Sequence, residues 1–368
     1  MAKKTQNTKS KTPRQGPVPQ SSSGKAPQQA EEAVSPQDAA TRRQHAAILE
    51  VFRRVFGETT LSADDFTTTL QEVKQALFNR EFDKAFGNEK YLDVYAARWS
   101  PPRAMCYSSV LGGVETYLRD ILQSQSAQAG EDDAARPPPS RLRVLSIGGA
   151  AAELIAVGSF LAQLENVSGD VYLLDSGPWD SVVQKLYAGL TTPPPVSKYA
   201  SEAARAAVSA IIPPSRLTST FRQVDVLEAD KEYMSKLLGA DGSTAAPVLI
   251  TVFFTLNELF TAGGIGKTTK FLMNLTAAVP SGSLLLVVDS PGSYSETVVG
   301  KQSRKYPMHW LLDKVLTSVE DCEWTKLESH DSIWFRLPER VDYPISLENM
   351  RYQMHLYRAV KPAPSGGP

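Results

Sequence analysis

Residues 143–154, RVLSIGGAAAEL, decide the fold of this chain. A short aliphatic run leads into Gly148 and Gly149, and small residues followed by Glu153 then open a helical stretch. This order is typical of the first strand-to-helix turn of a doubly wound α/β sheet, where unpaired N–H groups at a helix N-terminus face a ligand. The later glycines of a G-x-G-x-x-G pattern are missing, which favours a nucleoside without a pyrophosphate. A tight turn that binds nothing is the alternative.

Carboxylates follow the next two aliphatic runs. VYLLD ends at Asp175, 27 residues after Gly148, where such a sheet places the acidic group that binds a ribose diol. FRQVDVLEA (221–229) places Asp225 just after its strand, where it could accept a hydrogen bond from an exocyclic adenine amine. Either carboxylate alone is more often a helix cap or a loop residue. Together with Gly148 and Gly149, they predict a nucleoside site at one edge of a sheet.

Composition divides the chain into five segments. The segments are a disordered basic leader (1–40), a helical cap (41–122), a polar linker (123–140), an α/β domain (141–360) and a tail (361–368). Aliphatic runs that alternate with helical stretches predict strands at 142–147, 171–174, 221–226, 247–254, 283–288, 332–337 and 350–357. The fold class is therefore α/β, a Rossmann-like sheet with an N-terminal helical cap.

Apolar residues at helical spacing predict further helices. The first covers 41–56, and a second begins after a possible cap at Ser62 and continues from 66 to 86. Others are expected at 102–122, in an Ala-rich insertion at 198–212, and at 268–279.

The charge distribution separates the leader from the rest. The 368 residues carry 39 basic and 40 acidic side chains, but the first 30 hold six basic and no acidic ones, which leaves 33 against 40, or −7, elsewhere. Such a leader is typical of a nuclear import signal, a tether for a polyanion, or a solubilising tail without another role. No apolar run reaches the roughly 20 residues of a membrane span. Two cysteines and four dispersed histidines predict no metal site.

GGIGKTT (263–269) resembles a phosphate-binding loop, and LLLVVD ends at Asp289 like a magnesium-binding strand. The pattern requires glycine where this chain has Thr261, and a strand that leads directly into the loop, where it has TLNELFTA. A glycine-rich start of the next helix explains the residues better. A P-loop nucleotidase is therefore the weaker alternative.

The chain resembles the class I S-adenosylmethionine-dependent methyltransferases and, more narrowly, the fungal 25S rRNA (uridine-N(3))-methyltransferase family. The phrases that carry the resemblance lie between about residues 41 and 360: YAARWSPPRAMCYSSVL, GGAAAE, FTLNELF, TTKFLMNLT, VVDSPGSYSE and LENMRYQMHLYR. The resemblance implies S-adenosylmethionine as cofactor, bound by Gly148, Gly149, Glu153, Asp175 and Asp225. It also implies ribosomal RNA or a pre-ribosomal particle as substrate. Ser146 departs from the family, which often has an acidic residue there, and Ala150 and Ala152 stand where glycine is usual.

Methyl transfer to N3 of uridine requires removal of a weakly acidic proton. Asn257 could donate to O4 and Glu258 could take the proton, because both follow the fourth strand. Basic and aromatic side chains suited to stacking and phosphate binding are Arg98, Trp99, Arg103, Tyr294, Lys301, Arg304 and Lys305. Trp99 and Glu258 could instead have purely structural roles. Trp99 could pack in the core, and Glu258 could stabilise the N-terminus of a helix.

A second class of function stays open, a methyltransferase-like domain without turnover that assists ribosome assembly. In either case we expect the protein in the nucleus, specifically the nucleolus, with the cytoplasm as the alternative. We take the protein as a monomer by default.

Overall fold

A seven-stranded sheet forms the centre of the protein. The computed structural model describes residues 35–128, 140–206, 208–239, 246–292, 294–299, 302–317, 322–339 and 341–362. The strands are β1 (Ser140–Ile147), β2 (Val167–Asp175), β3 (Leu217–Gln223), β4 (Leu249–Phe253), β5 (Leu284–Asp289), β6 (Tyr294–Val299), β7 (Gln302–Pro307), β8 (Glu323–Phe335) and β9 (Met350–Val360). Their order in the sheet is β3-β2-β1-β4-β5-β9-β8, and β6 pairs with β7 as a separate hairpin.

Helices cover both faces of this sheet. They are α1 (Pro36–Phe56), α2 (Phe66–Phe78), α3 (Phe82–Phe86), α4 (Glu89–Gly113), α5 (Glu115–Gln128), α6 (Ala151–Leu161), α7 (Asp180–Thr191), α8 (Glu202–Ala206), α9 (Lys231–Leu238), α10 (Leu256–Glu258), α11 (Gly264–Ala278) and α12 (Met308–Leu316). Buried residues of α1, α4, α6 and α7 share one hydrophobic cluster with the sheet, and those of α9, α11 and α12 share a second. The protein therefore has three layers, with helices on each side of the sheet, as expected for the predicted α/β class.

The order of the strands creates a crevice at the edge of the sheet where the Gly148–Gly149 turn predicts a ligand site. β1 to β5 run parallel, whereas β9 is antiparallel to both β5 and β8. The chain moves outward from β1 to β2 and β3, then crosses back to β4 on the other side of β1. Ligands of open α/β sheets bind at the carboxyl ends of the strands at such a switch point.

Helix α4 differs from the prediction, which began a helix only near residue 102. The Asn88 side chain caps its start by accepting from the Tyr91 N–H at 2.9 Å, and the helix continues through Pro101 and Pro102. Proline lacks an N–H, so the carbonyl of Ala97, four residues before Pro101, loses its usual donor. The Tyr343 hydroxyl donates to that carbonyl at 2.8 Å. A distant segment therefore supplies the bond that proline removes, which sequence spacing alone does not reveal.

Several other boundaries also differ. The helix predicted from 66 to 86 breaks after Phe78. Of the described residues in the insertion predicted as a helix over 198–212, only Glu202–Ala206 (α8) are helical, and the described residues around α8 are mostly exposed, so little apolar burial stabilises a longer helix there. The strand predicted at 332–337 begins at Glu323 and ends at Phe335. Residues 1–34 of the predicted leader, 129–139 of the linker and 363–368 of the tail lie outside the described residues.

None of the described helices is at once long and apolar enough to cross a membrane.

Candidate active site

A cavity of about 700 Å³ opens at the carboxyl edge of the sheet. The turns after β1, β2, β3 and β4 form its floor, and α2, α3 and α4 form its opposite wall. Seven of the predicted site residues line it: Trp99, Arg103, Gly148, Glu153, Asp175, Asp225 and Glu258. The cavity thus combines the residues proposed from three successive strand ends with residues from the N-terminal helices.

The turn after β1 requires glycine at its first position. Gly148 has a φ of 65°, a left-handed conformation, and its N–H donates to the Leu174 carbonyl at 2.7 Å. A Cβ there would lie 2.3 Å from Oγ1 of Thr255, which follows β4. Gly149 is also confined, because a Cβ there would lie 2.5 Å from Cβ of Ser146. The turn after β1 therefore packs so closely against Thr255 and Ser146 that neither glycine can carry a side chain without displacing a neighbour.

Glu153 caps the helix that follows this turn. Its Oε2 accepts from the Ala150 N–H at 2.9 Å, which satisfies one of the unpaired donors at the start of α6. Burial raises the pKa of Glu153 to about 7, although the Ala150 hydrogen bond and the charge of Arg103 act in the opposite direction. Glu153 lines the cavity, so it both orders the turn and gives the site a carboxyl group that titrates near neutrality.

Asp175 is the carboxylate best placed for a ribose. Its Oδ1 accepts from the Gly177 N–H at 2.7 Å and from the Trp179 indole N–H at 3.1 Å. No hydrogen bond between described residues involves its Oδ2, which is left for hydroxyl groups of a ligand. Burial raises the pKa of Asp175 to about 6, and the two N–H donors offset part of the rise.

Asp225 lies further out along the same edge. The side chain is exposed, and its Oδ1 accepts from the Leu227 N–H at 2.9 Å. It therefore stabilises the turn after β3 and also borders the cavity. This position is compatible with the predicted contact to a base. The hydrogen bond with the Leu227 N–H also gives Asp225 the alternative role, that of a residue that stabilises a loop.

The segment after β4 brings an unpartnered carboxylate oxygen to the cavity. Glu258 ends the short helix α10, and its Oε2 is buried without a hydrogen-bond partner in the part of the chain that is described. Such a buried acceptor is costly unless a ligand or solvent satisfies it. The neighbouring Asn257 does not line the cavity. Its N–H donates to Oδ2 of Asp289 at 2.9 Å, and its own Oδ1 is also buried without a partner among the described residues.

Phe254 has a strained backbone at the cavity wall. Its φ is 50°, which is rare for a bulky side chain, and its N–H donates to the Val288 carbonyl at 2.7 Å. The guanidinium of Arg103 lies 5.4 Å from the centre of the Phe254 ring and 5.5 Å from that of Tyr95. Strain of this kind is retained where the surrounding structure holds it, and here it places an aromatic ring in the site.

Arg103 is a cation without a counter-charge at bonding distance. It donates to the Tyr95 hydroxyl, and it takes part in none of the ion pairs formed by the described residues. The aromatic ring of Tyr95, its partner, belongs to a cluster of rings. The ring centre of Tyr95 lies 5.1 Å from that of Phe86, 5.0 Å from that of Trp99 and 5.6 Å from that of Trp179. The cavity therefore offers aromatic walls and one fixed positive charge, which suit a planar, electron-rich ring.

Sequence reasoning found Trp99 and Arg103 but missed Tyr95, Trp179 and Phe254. Tyr95 lies one helical turn before Trp99 and could have been found by that spacing. The left-handed conformation of Phe254 leaves no sequence signal.

Arg98, also predicted to bind the substrate, is not among the residues that line the cavity. Arg98 is buried and forms an ion pair with Glu348. Tyr294 is the first residue of β6, and Arg304 and Lys305 lie in β7. Lys301 lies outside the described residues. The sequence analysis treated this segment as a loop, and it missed the hairpin although Thr297 and Val298 have high strand propensity and Gly300 follows them.

The glycine-rich stretch 263–269 does not form a phosphate loop. Helix α11 already begins at Gly264, and α10 and the turn Leu259–Gly263 separate it from β4. Nζ of Lys267 bonds Oε1 of Glu228 at 2.6 Å, at the surface. Among the described side chains, no His, Cys, Asp and Glu come together as a group of three or more that could hold a metal.

Comparisons with known proteins agree with this geometry. Residues 52–358 match a protein family described as "Putative SAM-dependent methyltransferase". The chain belongs to this family. It is 29% identical over 342 residues to the 25S rRNA (uridine(2843)-N(3))-methyltransferase of Saccharomyces cerevisiae, a match that covers 84% of each chain.

Among solved structures, the chain is similar to a SAM-dependent methyltransferase from Methanosarcina mazei, with 6% identity and a TM-score of 0.34 over 60% of this chain and 93% of that one. It is also similar to one from Clostridium acetobutylicum, with 7% identity and a TM-score of 0.31 over 69% of this chain and 98% of that one.

The site fits the cofactor of this family, S-adenosylmethionine. Gly148 and the small residues Ala150 and Ala151 line the cavity at the start of α6, where N–H groups of a helix N-terminus can meet a ligand. Oδ2 of Asp175 can accept from ribose hydroxyls, and Asp225 borders the outer part of the cavity, where an adenine amine would need an acceptor. Glu258 and Arg103 lie in the same cavity and remain for the methyl acceptor.

Proposed function

We propose that this protein methylates N3 of a uridine in large-subunit ribosomal RNA. The cavity supports the proposal because it places a free carboxylate oxygen and an unpaired guanidinium in the same space as the cofactor site. The identity of the target is supported by the yeast relative, whose name specifies that position of uridine. The observation that carries the chemistry is the buried, unpartnered Oε2 of Glu258.

Glu258 acts as the base. The uracil N3–H is weakly acidic, and its nitrogen becomes a nucleophile only when the proton leaves. Oε2 of Glu258 has no competing donor among the described residues, so it can take that proton when the base enters. The bound cofactor supplies an activated methyl group on a sulfonium, and the protein contributes alignment of the two partners.

Arg103 stabilises the charge that develops on the base. Loss of the N3 proton spreads negative charge over the two carbonyl oxygens of uracil, and a guanidinium already fixed in position lowers the energy of that state. The Tyr95 hydroxyl and the rings of Tyr95 and Phe254 hold the guanidinium in place. Those rings also form the walls against which an extruded uracil can pack.

The replacement Glu258→Gln tests the role of the carboxylate. Glutamine keeps the size and removes the basic oxygen, so we expect kcat to fall by about 10²- to 10⁴-fold while the affinity for the cofactor stays unchanged. Turnover is measured by transfer of a labelled methyl group to large-subunit rRNA, and cofactor affinity by calorimetry. Unchanged turnover at saturating RNA would remove Glu258 from this role.

We further propose that the reaction takes place in the nucleolus during ribosome biogenesis. The basic leader supports this, because six positive side chains and no negative ones occupy the first 30 residues. A fluorescent fusion that lacks residues 1–30 and still accumulates in the nucleolus would contradict a targeting role for the leader.

A further inference from the structure

Trp334, Arg336 and Arg351 form a cluster on the outer strands of the sheet, which we call the Trp334 cluster. The Trp334 side chain is 54% exposed, although a large indole usually finds a partner in the core. The guanidinium carbons of Arg336 and Arg351 lie 5.4 and 5.7 Å from the centre of a Trp334 ring. Both arginines are exposed, and neither takes part in an ion pair with another described residue.

The cluster lies on the same edge of the sheet as the cavity. β9 runs antiparallel to β5 with Gln353 opposite Asp289, the last residue of β5. Arg351 precedes Gln353 by two residues, so it lies about 7 Å beyond the carboxyl end of β5 and points to the same face as Gln353. Trp334 of β8 pairs directly with Arg351.

Hydrogen bonds connect this edge to the site. Nε2 of Gln353 donates to the Ser290 carbonyl at 2.7 Å, and Asp289 accepts from the N–H of Asn257, next to Glu258. β8 is three strands from β4, which corresponds to about 15 Å at the usual spacing between strands. A strand whose bases are stacked with the duplex rise of about 3.4 Å per nucleotide covers that distance with roughly four nucleotides.

We propose that the Trp334 cluster binds a single-stranded segment of RNA next to the target nucleotide. Nε of Arg351 donates to Oγ of Ser332 at 2.8 Å, but neither guanidinium has a carboxylate partner among the described residues, so both can supply charge for phosphates. The exposed indole supplies a surface on which a base stacks. The chain after residue 30 has a net charge of −7, so attraction to a polyanion requires local positive groups such as these. The inference extends the proposed function, because it assigns a second contact to the same RNA.

The test measures RNA binding by the full-length protein with its cofactor present. The probe is a short fluorescein-labelled single-stranded RNA of mixed sequence, and its affinity is followed by anisotropy over a range of salt concentrations. We expect Trp334→Ala to weaken binding about tenfold through lost stacking, and Trp334→Phe to restore most of it. The double variant Arg336→Gln and Arg351→Gln should reduce the slope of log affinity against log salt by about 1.4, because two phosphate contacts are lost.

A matched control lies at the opposite edge of the sheet. Nζ of Lys198 lies 5.0 Å from the ring centre of Tyr199, which is 85% exposed, in the segment between α7 and β3. Tyr199→Ala removes an exposed aromatic ring beside a cation, as Trp334→Ala does, and it should leave RNA binding unchanged. Unchanged melting temperatures would show that each variant folds.

The proposal would be overturned if the wild type, Trp334→Ala and the double variant bound RNA with the same affinity. It would also be overturned if this surface bound a protein and the substitutions left RNA binding unaffected. This result is distinguishable from failure of the proposed function, because the binding assay does not depend on which atom is methylated.

Discussion

Replacement of Asp175 by asparagine should stabilise the protein and weaken cofactor binding at the same time. Asparagine has the same shape, and its carbonyl oxygen can still accept from the Gly177 N–H and the Trp179 indole that now bond Oδ1. The substitution therefore removes the negative charge and the acceptor Oδ2, and it keeps the local hydrogen bonds.

The size of the stability gain follows from the pKa. Burial raises the pKa of Asp175 from 3.8 to about 6, so the fold favours the neutral carboxyl. The stability that the neutral form contributes is fully present below about pH 4 and is lost as the pH rises through about 6. That rise corresponds to roughly 3 kcal/mol, and an asparagine that is itself partly desolvated should recover about 1–2 kcal/mol of it at pH 8.

The corresponding loss in affinity comes from the ribose contact. A hydrogen bond to a charged group contributes about 1.5–3 kcal/mol, so we expect S-adenosylmethionine to bind roughly ten- to 100-fold more weakly. Thermal melting at about pH 8 and about pH 3.5 measures the first effect, which should be a rise of a few degrees at the higher pH and nearly none at the lower one, where both Asp175 and the unfolded chain's carboxyl are largely protonated. Calorimetry measures the second.

Asp64→Asn is the control. Asp64 is exposed just before α2 and takes part in none of the hydrogen bonds or ion pairs of the described residues, so its replacement should change neither quantity. A variant of Asp175 that melts at the wild-type temperature at both pH values would refute the burial argument. One that binds the cofactor as the wild type does would refute the assignment of the ribose contact.

Two further changes test other parts of the site. Gly148→Ala should abolish detectable cofactor binding and cost about 1–3 kcal/mol of stability, because its Cβ would lie 2.3 Å from Oγ1 of Thr255 at a positive φ; melting and calorimetry measure both. Gly264→Ala is the matched control, since its φ is 76° but no atom lies within 4 Å of the added Cβ. If Gly264→Ala binds the cofactor and Gly148→Ala does not, the loss comes from the clash with Thr255 and not from the positive φ alone. Arg103→Lys keeps the charge and loses the planar contact with Tyr95, so we expect kcat to fall about tenfold or more with little change in cofactor affinity. Equal kcat values for Arg103→Lys and the wild type would show that the guanidinium does not stabilise the reacting base.

The sheet and the floor of the cavity could be predicted because short-range patterns determine them. Aliphatic runs followed by Gly148, Asp175 and Asp225 indicate strands that end at a common edge, and the structure places all three around one cavity. These features depend on residues that are neighbours in sequence, and hydrophobic periodicity detects such neighbours well.

The opposite wall of the site could not be predicted in the same way. α4 passes through two prolines, and Tyr343, 246 residues from Ala97, supplies the donor that Pro101 lacks. The ring of Phe254 reaches the cavity through a left-handed backbone that neighbouring packing imposes. The contacts of Arg98 with Glu348 and of Trp334 with Arg351 likewise join distant segments. Sequence patterns therefore led to a substrate role for Arg98 without its ion pair, and they did not identify Trp334.

The central claim is that one cavity holds the methyl donor and directs it to N3 of a uridine. The most direct measurement incubates the purified protein with isotopically labelled S-adenosylmethionine and unmodified large-subunit rRNA, digests the RNA, and identifies the labelled nucleoside by mass spectrometry. We expect labelled N(3)-methyluridine with the wild type and at least about 100-fold slower labelling with Glu258→Gln. Label on another nucleoside or another atom of uridine, or no label while the protein binds both cofactor and RNA, would contradict the account.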